Sequence, residues 1–227
     1  MPPKHPDARQ IWQRLLWVGI YAVAMGLLEA ICVIYLRRLL PGLIAGTGAH
    51  VAPLERLRIE VIREACTLVM LLSVAWLGGF DLRSRVACFF YAFGLWDIVY
   101  YAGLWWLAGW PGSWLQWDCL FLIPKPWYGP VLAPVLISAY FAVACVLIHK
   151  GEIRKAPLRL SLWTLTLQLL AGLVWYWSFV KDADRIRANG YAGMSYSWML
   201  FAVGAAIAFG GLLLAMRGRP AEAAVSI

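Results

Sequence analysis

The 227 residues are 63% hydrophobic and only 14% charged, with a formal charge of +8. Soluble domains average about 45–50% apolar and about 25% charged residues, so this composition excludes a soluble globular protein and predicts one polytopic membrane domain over residues 1–227. The positive charge does not point to nucleic acid as a partner, because there is no basic-aromatic groove and no soluble domain to carry one. Basic loops that fix topology and touch lipid headgroups account for it.

A helical span needs about 20 mostly apolar residues. In chain order six segments qualify, at residues 11–36, 60–79, 85–107, 129–148, 158–180 and 196–216. The expected fold class is therefore an all-α membrane protein with six transmembrane helices. The first segment is too long for a signal-peptide core of about 7–15 residues and runs straight into Arg37 and Arg38, so it reads as a span. Between spans three and four, residues 110–128 hold the stretch from Trp114 to Pro124, apolar but too short to cross, bounded by "WPG" and "PKPWYGP". Proline removes a backbone donor and bars the preceding residue from helix, so an interfacial or re-entrant segment packed against protein is expected there.

Six spans put both termini on one side. That side carries eleven Lys and Arg against eight on the other, with Arg63 inside a span, which favours cytoplasmic termini. The tryptophans form two belts at alternating ends. Trp105, Trp106, Trp110, Trp114, Trp117, Trp127, Trp175, Trp177 and Trp198 fall opposite the termini, and Trp12, Trp17, Trp76 and Trp163 fall near them. Spans one to three carry Glu29, Glu60, Arg63, Glu64 and Asp97, whereas in spans four to six Gln168 is the most polar interior residue. No internal repeat is visible, so the chain divides into a chemically active half and a scaffold half rather than into two inverted repeats.

Glu60 and Glu64 share one helix face with Arg63 beside them, and Thr67 continues that face. A charged first turn at the interface is one account of them, since a helix N-terminus favours carboxylates. The other spans add more. Glu29 flanks a stripe of small residues, Ala22, Gly26 and Ala30, of the kind that marks close helix packing. Asp97 sits mid-span in "YAFGLWDIVYYAGLWW", with Tyr100 and Tyr101 one turn on. Intramembrane acids are functional candidates. At 1.5 Å per residue, Glu29 lies about 12 Å from the Arg37 end of span one, Asp97 about 15 Å from the Leu107 end of span three, and Glu64 about 6 Å into span two. Those ends share a side, so Glu29, Glu60, Arg63, Glu64, Asp97, Tyr100 and Tyr101 are expected to converge in the half opposite the termini. Asp118 on the intervening segment would serve as a lid residue, and Arg37, Arg38, Arg56 and Arg58 would form the rim.

Four carboxylates in such a cluster cannot all be ionised without cations. Arg63 neutralises one, and the rest must be protonated or bind a metal or cationic ligand. Oxygen-only ligation through Glu29, Glu60, Glu64 and Asp97 would suit a divalent cation as cofactor. A haem or histidine-rich iron site is not expected, because His5, His50 and His149 fall in tails, loops or at a span end. The five cysteines form no C-x-x-C pair and read as small hydrophobes. Ser138 and Ser161 have no His or Asp company in the sequence, and no hydrolase, zinc-protease or nucleotide-binding motif is present. "HKGEIRKAPLR" reads as a solvated basic loop. "GAAIAFGG" reads as helix packing within the monomer or as a contact between copies in a homo-oligomer.

The stretches "IREACTLVMLLSVAWL", "FGLWDIVYY" and "WDCLFLIPKPWYGPVLAP", within residues 20–137, resemble a group of uncharacterised bacterial multi-pass membrane proteins. The resemblance implies a bacterial inner-membrane location and carries no activity. Three functional expectations follow from the residues. The leading one is a site opening to the non-cytoplasmic side that binds or moves a cation, a proton or an amphipathic small molecule. The second is an intramembrane enzyme on a lipid-linked substrate, with Glu64 or Asp97 as general base and with or without a divalent metal. The third is an assembly or accessory subunit whose polar residues pair helices. Membrane lipids are partners under all three.

Overall fold

The computed structural model describes residues 6–39, 54–159 and 161–217. His5 and His50 and the side chain of the rim residue Arg56 lie outside the described residues. Six helices are long and apolar enough to cross a membrane. They are α1 (Ala8–Leu39), α2 (Leu54–Gly78), α3 (Leu82–Ala108), α4 (Leu132–Ile153), α5 (Leu162–Val180) and α7 (Trp198–Arg217), with a short α6 (Ala183–Asn189) between the last two. Their ends follow local chemistry. The Asp81 side chain caps α3 by accepting from the Ser84 amide at 2.7 Å, and Gly109, at φ 64°, closes it in the left-handed region. Ser161 caps α5 through the Thr164 amide at 3.2 Å.

The expectation of an all-α chain needs one amendment. Residues Trp117–Phe121 (β1) and Trp127–Pro130 (β2) pair antiparallel, with Asp118 opposite Gly129 and Cys119 opposite Tyr128. Pro124 and Pro126 deny this stretch a helix, and cross-strand packing of aromatic side chains favours the paired form. The hairpin leans on both halves of the molecule. Phe121 packs against the core cluster that includes Leu71 and Trp96, while Trp127 stacks on Phe179 and meets Tyr176 edge-on.

Helix α3 is the central post. It packs against α1, α2 and α4, and α5 pairs with α7. Small residues permit the closest crossings. A Cβ on Gly94 would lie 2.5 Å from the Ser138 carbonyl, and one on Gly26 would lie 2.6 Å from the Trp96 carbonyl. The "GAAIAFGG" run packs within the monomer, with Gly204 against the Trp175 ring and Gly211 against Gln168. Tyr140 on α4 donates to Gln168 at 2.7 Å, and Gln168 donates to the Ala208 carbonyl at 2.9 Å, tying α4, α5 and α7 together. Two belt tryptophans are structural instead. Trp175 is buried and donates to the Phe201 carbonyl at 3.1 Å, and Trp127, in β2, is half-buried against Phe179. By contrast α2 is peripheral, with 17% of its apolar window buried against 44% in α1 and α3.

The crossings give a direct test. Gly94→Ala forces the α3–α4 contact apart and should cost about 1–3 kcal/mol, lowering the thermal unfolding midpoint of the purified protein in detergent. Gly172→Ala, where a Cβ meets nothing within 4 Å, should leave the midpoint unchanged or raise it.

Candidate functional site

Glu29 sits on the buried face of α1, set there by the small residues that bring α1 against α3. From α2, the Arg63 guanidinium ion-pairs with Glu29 and bonds Glu60 Oε2 through Nε at 2.9 Å. The Thr67 hydroxyl, one turn deeper on α2, is 3.4 Å from Glu29 Oε2 and 3.2 Å from the Arg63 carbonyl. Glu64 faces the hairpin, where its Oε2 accepts from the Leu122 amide at 2.9 Å. The helix start "IEVIREACT" thus spends its two glutamates in different directions, Glu60 on Arg63 and Glu64 on the hairpin tip.

A second polar group holds the hairpin's base. Asp118 accepts from the Tyr101 hydroxyl at 3.3 Å and lies 3.7 Å from the Arg37 guanidinium. Arg37 also sits over the Trp110 ring at 3.9 Å. The rim arginine at the end of α1, the tyrosine of α3 and the acid of β1 therefore meet at one point. Tyr100 is stacked on Trp96 and edge-on to Tyr101.

Asp97 takes a different partner from the one its depth suggested. It turns toward α4, where the Ser138 hydroxyl donates to its Oδ2 at 2.8 Å, and it is 8% exposed. Ser138, read from sequence as lacking acidic company, is thus the missed member of the site. Its signal was a serine in an otherwise apolar span, at the point where Gly94 lets α3 and α4 touch. The division into an active and a scaffold half is corrected with it, because α4 supplies this partner.

The four carboxylates expected to ligate a cation have separate partners in this structure. Among the described residues no group of three or more His, Cys, Asp or Glu side chains is placed to hold a metal ion. Glu29 and Glu60 share Arg63, Glu64 binds a backbone amide and Asp97 binds a hydroxyl, so no oxygen-only divalent-cation shell is preassembled from them.

The sequence also passed over a second cluster. His149, expected at a span end, is buried between α3 and α4 with Ser84, Cys88 and Cys145. No family model, no curated protein and no solved structure matches the chain.

Two tests address this geometry. Arg63→Ala strands Glu29 as a buried charge, so it should destabilise the protein by about 3 kcal/mol or more, and adding Glu29→Gln should recover most of that loss in the same unfolding assay. The second concerns pH. Burial pushes the Asp118 carboxyl, outside the six helices, up to about 6, against the opposing Arg37 charge and the bonds from Cys119 and Tyr101. The folded chain then holds this proton more tightly than the unfolded chain, so the contribution to stability is full below about pH 4 and is lost as the pH rises toward 6. Between those limits, unfolding midpoints should fall more steeply with pH in the wild type than in Asp118→Asn.

Proposed function

We propose that this chain is a bacterial inner-membrane protein with cytoplasmic termini, whose polar site in the opposite half of the bilayer binds and exchanges a proton or a small cation. Among the described residues, Arg37 pairs with Asp118 and Arg63 with Glu29 and Glu60, while Glu64 and Asp97 are met by a backbone amide and a hydroxyl. The observation that carries the reading is Asp97, an acid buried in the middle of a spanning helix whose hydrogen-bond partner is a neutral hydroxyl. Helix pairing alone is served by neutral polar residues such as Asn, Ser or Thr. An ionisable group without a counter-charge holds its proton or a cation, which it then exchanges. The hairpin, with its exposed Trp114 and its polar anchors to α1, α2 and α3, is the interfacial cover of that site.

A second reading, the assembly or accessory subunit, is favoured by a different observation: each of the five acids already has an ion-pair or hydrogen-bond partner. The intramembrane-enzyme reading has less behind it, since the Glu64 and Asp97 oxygens that would act as bases are engaged by Leu122 and Ser138.

Purified protein in proteoliposomes carrying a pH-sensitive dye separates the two. Under an imposed ion gradient the wild type should change the internal pH, and Asp97→Asn should slow this by about tenfold or more, the scale on which a required proton-carrying group acts. Equal rates in the wild type, Asp97→Asn and empty liposomes would leave the accessory role.

A further inference from the structure

Near the other end of α3, Ser84 and Cys88 are four residues apart and face Cys145 and His149, four apart on α4. Such spacing places each pair on one helical stripe. All four are buried, at 3%, 1%, 1% and 1% exposure. His149 Nδ1 lies 2.9 Å from the Cys145 carbonyl. A carbonyl only accepts, so Nδ1 carries the proton and Nε2 presents its lone pair. Nε2 faces the Ser84 hydroxyl at 3.0 Å and the Cys88 thiol at 4.0 Å, while the Cys145 sulfur lies 3.4 Å from Nδ1. The two thiols thus flank one imidazole, whose basic nitrogen accepts from Ser84 and has Cys88 as its next neighbour. Ile11, Leu15, Ala75 and Ala87 wall the cluster, with Phe80 edge-on to the ring.

A thiol beside a base is primed as a nucleophile, since the thiolate is the reactive form. A second thiol within the same cluster completes a dithiol. We propose that Cys88 and Cys145 are a redox site that forms a reversible disulfide between α3 and α4, with His149 Nε2 as the base. The two S–H bonds break and one S–S bond forms. Two electrons and two protons pass to a two-electron acceptor, and the Cys88 proton leaves through His149. The apolar wall and the burial exclude charged aqueous oxidants, so the acceptor is a lipid-soluble one of the quinone class, reduced to the hydroquinone. This assignment is independent of the Asp97 reading.

The test uses reduced, purified protein in lipid nanodiscs with duroquinone, whose ring is fully substituted and does not alkylate thiols. Peptide mapping without reductant should show a Cys88–Cys145 link, with Cys32, Cys66 and Cys119 still alkylatable after unfolding. One hydroquinone should form per chain. Cys88→Ser and Cys145→Ser should each abolish both signals. His149→Gln, checked for an intact unfolding midpoint, should slow the link by about a hundredfold, the scale of general-base assistance. Finding both thiols unlinked in the wild-type map, or the link formed through another cysteine, would overturn the proposal. An unchanged rate in a folded His149→Gln would overturn the role of the imidazole as base.

Discussion

The Arg63 guanidinium is shared by carboxylates from two helices, and the polar half of the molecule is organised around it. Helix α2 is mostly exposed and shows an apolar face to its surroundings, including Ile59, Ile62, Val69 and Trp76. Leu71 and Ala75 seat one stripe of it in the core, and its polar ties are Arg63 to Glu29 on α1 and Glu64 to the backbone of the hairpin. In a low-dielectric setting, breaking a paired buried charge costs far more than an exposed ion pair contributes. The same guanidinium also sets the charge balance. It is committed to Glu29 and Glu60, and Arg37 is committed to Asp118, so among the described residues Asp97 and Glu64 are hydrogen-bonded by neutral donors. The electrostatic asymmetry behind the functional proposal follows from where two arginines are spent.

The hairpin ties this asymmetry to the rest of the fold. Its base is held by Asp118, its tip by Glu64, and its aromatic faces by α3 on one side and α5 on the other. A short two-stranded ribbon is marginal by itself. Here it is supported on several sides by the helices it packs against. Glu64 thus contacts the tip, and Arg37 and Tyr101 contact the base.

Much of the fold was legible because a spanning helix advertises itself by length and apolar content, and all six lie within a few residues of their expected places. The neighbourhood of Glu29, Glu60, Arg63 and Glu64 followed from span order and helix rise alone. What failed to show was rotation about the helix axis. Depth placed Asp97 level with the others, yet its azimuth turns it to Ser138 on α4, and neither residue's sequence neighbours specify that direction. The hairpin was hidden for a related reason, since prolines forbid a helix without dictating a strand partner. His149 was hidden because its partners Ser84 and Cys88 lie about 60 residues away on another helix.

The central claim is that Asp97, hydrogen-bonded to the neutral Ser138 hydroxyl, holds an exchangeable proton or cation. Infrared difference spectroscopy of the protein in lipid, across a pH step and with Asp97→Asn as the reference, tests it most directly. The account predicts a carbonyl band of a protonated carboxylic acid that changes with the step in the wild type and is lost in Asp97→Asn. Identical difference spectra for the two proteins would contradict it.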